Sequence, residues 1–338
     1  MNGFQTGFFS QPRMTTLSRV IADLRERGDD AQSEAVTGRP ADLAERLSGR
    51  VAETVTLSGA IDRLAAYNET IALTELRADI VSQSLGELRQ IATDLANSAE
   101  TAMASNLPEA RSALSDTARA ALERAVAALN LSAGGRSVFS GDEPDKTPLA
   151  AAAEFLSAGG ALLAAAPTGA LAHNGLLAGF SDPAGVFSGS LYTGGTGSSP
   201  RAAISAGEVV SLDVRADAPE LREAMAHVVA LAKAFDGSLP LDRAEADVLA
   251  ERAIAGLRAS AGDIAQLEAR VGTIQERVAT TKARNAVEEA GFAIALDELS
   301  RGDAVGAALR FNAIEGQIET LFATTARLSG ISLGAFLR

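Results

Sequence analysis

Two long stretches without proline dominate this chain, one from Leu47 to about Ser105 and one from about Asp242 to Ser300. Nothing in them stops a helix, because proline is the residue that removes a ladder hydrogen bond and clashes with the preceding turn. In the first stretch apolar residues recur seven apart at Leu57, Leu64, Ile71, Ala78, Leu85 and Ala92. Three residues on runs a companion row of Ala60, Tyr67, Thr74, Val81, Leu88 and Leu95. This is the period of a coiled-coil seam. A helix of about 58 residues rising 1.5 Å per residue extends roughly 87 Å, far more than a globular domain uses, so it calls for a partner along its length.

The second stretch supplies that partner. Leu257, Ile264, Val271 and Val278 are again seven apart, with Leu267, Ile274 and Thr281 beside them, and Asn285 falls at the next seam position. A lone polar residue there sets register. A further helix is expected from Pro108 to Ala133, ending at Gly134-Gly135, and another from Pro219 to Phe235. Shorter amphipathic patterns close both ends of the chain, with Leu17, Val20, Ile21 and Leu24 in front and Phe311, Ile314, Ile318, Leu321, Phe322 and Leu328 behind.

The middle is a different material. Gly, Ser, Thr and Pro crowd together after Gly135, and short β-type runs occur, such as Glu208 to Val214. A helix from Leu149 to Ala166 is expected there as well. The expected fold is therefore mainly α, a long antiparallel helical rod formed by the N- and C-terminal thirds, with a small inserted β-containing central domain. Residues 1–46 and 301–338 are read as terminal helices, 47–134 and 242–300 as the rod, and 135–241 as an outward-facing α+β insertion.

Composition narrows the function classes. The formal net charge is -13, and the basic residues are interleaved with acids, which disfavours nucleic acid as a partner. Cys and Trp are absent and Tyr occurs twice, so no disulfide framework or thiolate metal site is available. The longest apolar stretch, around Ala150 to Ala166, falls short of the roughly 20 residues of a membrane span, and no membrane insertion is expected. Residues 1–13 carry no basic n-region or long apolar h-region of a cleaved signal.

Several motifs invite a chemical reading and are read structurally instead. Gly330-Ile331-Ser332-Leu333-Gly334 spells a nucleophile elbow, but its acid and histidine partners would have to follow it, and His173 and His227 both precede it. The two histidines stand far apart in sequence without a Cys, so each is expected to be a surface or partly buried polar residue and no metal is expected. Gly194-Gly195-Thr196-Gly197 lacks a phosphate-loop lysine and is read as a flexible loop. The sequons at Asn68 and Asn130 fall in expected helices and are discounted. No catalytic residue and no cofactor is expected; the chain is read as a non-enzyme.

Gly135-Arg136-Ser137-Val138-Phe139-Ser140-Gly141, followed by Asp142 and Pro144, resembles the GR-x-[aliphatic or Tyr]-FSG segment that follows the long helices in the flagellar hook-associated protein 3 family. The end of the chain is similar to the terminal helix shared across the flagellin superfamily: Asp303-Ala304, then Gln317, Leu321, Thr325, Leu328-Ser329 and Ser332 to Leu337. Leu88 to Asn97 resembles a helix segment of flagellins, and Glu34 to Arg39 a turn of that superfamily, although Pro40-Ala41-Asp42-Leu43 departs from the acidic pair usual after it.

The resemblance implies a structural subunit at the hook-filament junction, exported unfolded through the flagellar type III channel without a cleaved signal and located outside the cell. It implies as partners copies of itself, a neighbouring hook-associated protein, flagellin and an export chaperone. A flagellin forming the filament is the alternative, and a coiled-coil adaptor a remoter one. Ordering the last 28 or so residues against one helix costs more than their burial returns, which points to other subunits. The expected subunit-contact residues are Leu17, Ile21, Leu24, Phe311, Ile318, Leu321, Phe322, Leu328, Leu333 and Phe336.

Overall fold

The computed structural model describes residues 11–42, 47, 49–105 and 107–336, with side chains left undescribed at 11–14 and 328–336. The fold is mainly α, with two small two-stranded antiparallel sheets. In chain order the elements are α1 (Gln11–Thr37), α2 (Val51–Ser105), α3 (Pro108–Leu129), β1 (Ser132–Ala133), β2 (Arg136–Ser137), α4 (Ala152–Ala164), α5 (Gly169–Ser181), a π-helical turn (Phe187–Leu191), β3 (Arg201–Ser205), β4 (Glu208–Ser211), α6 (Pro219–Ala234), α7 (Arg243–Ser300) and α8 (Ala304–Phe336). The chain divides into two compact units, residues 1–64 with 286–338 and residues 65–285, and both divisions fall inside helices, α2 and α7.

In the second unit α2 and α7 run antiparallel. Charged and polar side chains record the register, since numbers rise on one helix as they fall on the other: Glu75 with Lys282 at 2.8 Å, Asp79 with Gln275 at 2.8 Å, Arg89 with Glu268 at 3.1 Å and Glu100 with Arg258 at 2.5 Å. Exposed pairs of this kind add little stability but mark which faces meet. Between them the apolar rows are buried. Ile71, Ala78, Val81, Leu85, Leu88, Ala92 and Leu95 on α2 face Leu257, Ile264, Leu267, Val271 and Val278 on α7.

From Ser84 onward the buried stripe of α2 widens to include Ile91, Ala96 and Ala99. There α3 packs alongside, tied by Arg124 to Glu87 at 3.3 Å, so the helix needs two apolar faces instead of one. α3 ends at Leu129, short of the expected Ala133. The Asn130 side chain draws the chain off by bonding both backbone groups of Leu149, at 3.1 and 3.0 Å. Gly134 and Gly135 are then the turn of the β1–β2 hairpin, not a helix end; both hold positive φ, +59° and +79°, as a tight two-residue hairpin turn demands.

The core of this unit is built around α6, which is buried at Leu221 and continuously from Ala224 to Ala232. α3, α4 and α5 pack around it, and α7 reaches it where Gly256 lies against the His227 ring. Phe155 of α4, Phe180 of α5 and Phe187 of the π-turn close the far side with ring centroids 5.6 to 6.3 Å apart. The β3–β4 hairpin forms a smaller cluster, placing Ile204 and Val210 on Ile71 and Val278.

The polar residue at the seam, Asn285, is 1 % exposed and its amide donates to the Ile204 carbonyl at 2.9 Å. It therefore holds the hairpin, together with Glu208, which bonds Arg277, Thr281 and Arg284. Those guanidinium bonds hold the Glu208 carboxyl at about 2, well below the usual carboxylate range.

Burial separates two leucines on the same helix. Leu85→Ala, at a site with no exposure, is expected to cost about 2–5 kcal/mol by leaving a cavity. Leu73→Ala, 65 % exposed, should stay within about 0.5 kcal/mol. Urea denaturation of the two variants checks both.

Candidate functional site

Residues 130–144 and the loops they meet form a closely bonded non-helical part of the second unit. The segment that carries the Gly135 to Gly141 motif leaves α3 as a hairpin, and Ser137 N–H donates to the Pro144 carbonyl at 2.6 Å. Val138 and Phe139 then turn into the core at 2 % and 0 % exposure. Backbone bonds on either side fix Phe139 and Ser140: the Phe139 carbonyl accepts from Ala216 N–H at 3.0 Å, and the Ser140 carbonyl accepts from Gly195 N–H at 2.8 Å.

Gly141 sits where this segment crosses the 194–197 loop. Its φ is +64°, and a Cβ there would lie 2.7 Å from the Gly197 carbonyl oxygen and 2.9 Å from that of Gly195. Asp142 accepts from Gly197 N–H at 2.9 Å. From the other side Arg215, held by both oxygens of Asp217 at 2.8 and 3.0 Å, donates to the Thr196 carbonyl. Tyr192 adds a bond from its hydroxyl to the Gly195 carbonyl at 2.8 Å, and burial pushes that hydroxyl's pKa up. The loop expected to be flexible is thus bonded on three sides. Arg136 itself is largely exposed, 4.0 Å from Asp145. This arrangement is a clasp: backbone bonds join the end of α3 to the segment that leads into α6, while the buried hydroxyls of Ser137 and Ser140 stay without a partner.

The first unit is of a different kind. α1 and α8 pack antiparallel: Glu34 meets Arg310 at 2.6 Å, Gly28 lies against Ile314, and the Arg25 guanidinium stands 6.0 Å from the Phe322 ring centroid. Gly38, at φ +66°, ends α1 and its carbonyl accepts from Gly302 N–H at 2.8 Å. Asp303 begins α8 by accepting from Gly306 N–H at 2.9 Å. The facing rows have the alternating three-four spacing of a two-helix seam, Leu17, Ile21, Leu24, Gly28 and Ala31 against Ala307, Phe311, Ile314, Ile318 and Leu321.

Of the residues expected to contact other subunits, Leu17, Ile21, Phe311, Ile318 and Leu321 lie half-buried in this intramolecular seam, and Leu24 is buried. Phe322 lies beside it and is 48 % exposed. Leu328, Leu333 and Phe336 lie outside the residues whose side chains are described. Sequence reading passed over the apolar residues that the seam leaves outside: Val305 at 73 %, Leu309 at 67 % and Val36 at 81 % exposure. Their offset from the three-four row was the available signal. A cleft of about 630 Å³ opens between α1, Pro40 to Asp42 and α8, with Leu24, Ala31 and Ile314 among its lining and Arg27, Asp30 and Arg310 around them.

The other sequence motifs are placed as follows. Gly330 to Gly334 runs within the backbone of α8, without the strand-turn-helix of a nucleophile elbow. His173 and His227, expected apart as surface or partly buried residues, are instead both buried and stacked against each other, because α5 and α6 cross there. The described residues contain no group of three or more His, Asp or Glu arranged to hold a metal, and none of their helices is long and apolar enough to cross a membrane.

No protein-family model matches the chain and no curated protein matches it. Among solved structures it is similar to a chain described as a candidate flagellar hook-associated protein from Vibrio parahaemolyticus, at 12% sequence identity and a TM-score of 0.50, over 73% of this chain and 96% of that one. At that identity the likeness is one of fold alone, a mainly α architecture.

The clasp makes a graded prediction. Gly134→Ala meets only the cost of a left-handed backbone, about 1–2 kcal/mol, because nothing lies within 4 Å of its Cβ. Gly141→Ala adds a backbone clash to the same cost and should lose about 3 kcal/mol or more, read as the shift in guanidinium midpoint between the two variants.

Proposed function

We propose that this chain is a structural subunit of the bacterial flagellum, acting at the hook-filament junction and assembling through α1 and α8. The observation that carries this reading is the seam between those helices, in which Leu17, Ile21, Phe311, Ile318 and Leu321 keep part of their surface open while Val305, Leu309 and Phe322 face outward. A helix pair that leaves such surface in water gains less apolar burial against the entropy of ordering it. A second layer of subunits supplies the rest.

The similarity of fold to a candidate flagellar hook-associated protein supports the same reading, as does the resemblance of Gly135 to Gly141 to the hook-associated protein 3 family. In this reading the subunit works outside the cell after export without a cleaved signal, and it has no catalytic role. Its partners are copies of itself, a neighbouring hook-associated protein and flagellin, with an export chaperone before assembly. A flagellin is the second reading, favoured by the match of Leu88 to Asn97 to flagellins. Copy number separates the two: about one ring per flagellum for a junction protein, thousands for a filament protein.

The assembly face is tested by replacing residues that stand largely exposed in the monomer. Val305→Lys with Leu309→Lys should leave the urea midpoint of the monomer within about 0.5 kcal/mol of the parent. The same pair should weaken self-association at least tenfold in sedimentation velocity and leave cells without filaments. Filaments of normal length on cells carrying the double variant would sink the proposed face.

A further inference from the structure

The chain has two histidines, and the fold brings them together. Nε2 of His173 on α5 lies 3.2 Å from Nδ1 of His227 on α6, with ring centroids 5.2 Å apart and planes inclined by 16°. One nitrogen donates and the other accepts, so the contact needs at least one neutral ring with a free lone pair. Both residues are buried, at 7 % and 5 % exposure, and Nδ1 of His173 has no partner.

The surroundings on balance oppose a proton on either ring. Gly256 of α7 presses its bare Cα against the His227 ring; a Cβ at that position would come within 2.2 Å of the imidazole, so no water or counter-charge enters from that side. Arg252, one turn earlier on α7, adds a like charge that opposes protonation of His173, while the neighbouring Asn174 side chain on α5 favours it to a smaller extent than burial disfavours it. Among the described residues no carboxylate, whether from α4, α5, α6 or α7, shifts either ring. Burial is the larger cause in both cases. It lowers His173, and with the neighbouring His173 ring it brings His227 down to about 4.

We propose that the stacked His173–His227 pair is an acid-operated catch: with both rings neutral it holds α5 against α6 and α7, and protonation releases α5 and draws its Phe180 away from the aromatic cluster. The rings so uncovered are Phe155 of α4 and Phe187 of the π-turn, both in contact with Phe180. The first proton places a cation in a site without a carboxylate partner; the second removes the acceptor and sets two cations in contact. Other bonds also hold α5, from Gly169 N–H to the Glu245 carboxylate at 2.7 Å one turn before His173 and from Arg222 of α6 to the Phe180 and Ser181 carbonyls at 3.3 and 3.4 Å, but none of them pairs with either imidazole, so none relieves a charge placed at the crossing.

The sign follows from linkage. A histidine whose folded-state pKa is lowered leaves stability complete above the unfolded value near 6.5, and that stability is lost as pH falls from there toward the folded value. Taking His227 at about 4 when folded, the opening equilibrium of α5 should rise about 30-fold between pH 7.5 and pH 5. Glu208, already held at about 2, contributes its own loss only below about pH 4.5 and so lies outside this window.

Hydrogen exchange of the full chain at pH 7.5, 6 and 5, corrected for intrinsic rates, reads the release directly. Amides of 169–181 should lose protection on acidification while those of 257–278 keep theirs, and a hydrophobic dye should bind at pH 5. In the His173→Gln/His227→Gln variant the change between pH 7.5 and 5 should vanish. Equal loss in parent and variant, or unchanged protection of α5, overturns the proposal. Should the variant not fold, imidazole titration of the parent by NMR decides, since only two rings report: a midpoint of 6.5 or above for either ring overturns the catch, and midpoints below 6.5 for both support it.

Discussion

The second unit depends on a helix whose middle has no solvent face. α6 is buried without a break from Ala224 through Ala232, and a helix segment closed off on every side is stable only when other elements enclose it. The enclosure works because the helix is thin. Alanines at 224, 226, 230 and 232 let neighbours approach closely, and glycines on those neighbours complete the fit: Gly159 of α4 opposite Val229 and Gly256 of α7 opposite His227. Packing at this distance leaves little room for a volume change, which is why a glycine there is as specific as any large side chain.

Enclosing α6 forces the chain to leave the long helices and return, and each departure is answered by backbone pairing. Asn130 pairs with Leu149 through its side-chain amide, Phe139 with Ala216, and Ser140 with Gly195. Loops this close to a core cannot leave peptide groups unmatched. The β3–β4 hairpin faces the same demand at its tip, where Asn285 and the Glu208 cluster bind it to α7. Although the sheets are small, they act as fasteners for helices.

What could be read from the sequence followed from periodicity. The heptad rows on α2 and α7 are buried where expected because period-seven spacing responds to a neighbour helix whatever that neighbour is. Asn285 was legible as a polar residue at a seam position, yet its partner, the Ile204 carbonyl, lies 81 residues away in a hairpin that periodicity does not reach. α5 escaped notice because Gly169, His173, Asn174, Gly175 and Gly179 are poor helix formers; tertiary packing on α6 overrides them. The histidine pair escaped for the same reason, since nothing local says that α5 crosses α6 at those two residues. The Gly134-Gly135 pair was read as the end of a helix when it is the turn of a hairpin, and the two uses of glycine share one backbone requirement, a positive φ.

The two units differ in how far their apolar rows are covered, and this is a physical difference in kind. In the second unit Ile71, Val81, Leu85, Leu257, Ile264 and Val271 are all within 1 % of complete burial. In the first, the row of α8 from Phe311 to Leu321 stays half-buried, although its spacing is as regular. A seam of two helices cannot enclose its own residues; enclosure in the second unit comes from α3, α6 and the hairpin adding further sides. α1 and α8 have the seam without the added sides, and their remaining apolar surface is arranged along helices rather than scattered. The assembly proposed through α1 and α8 would supply those sides, covering Val305, Leu309 and Phe322 together with the open edges of the seam.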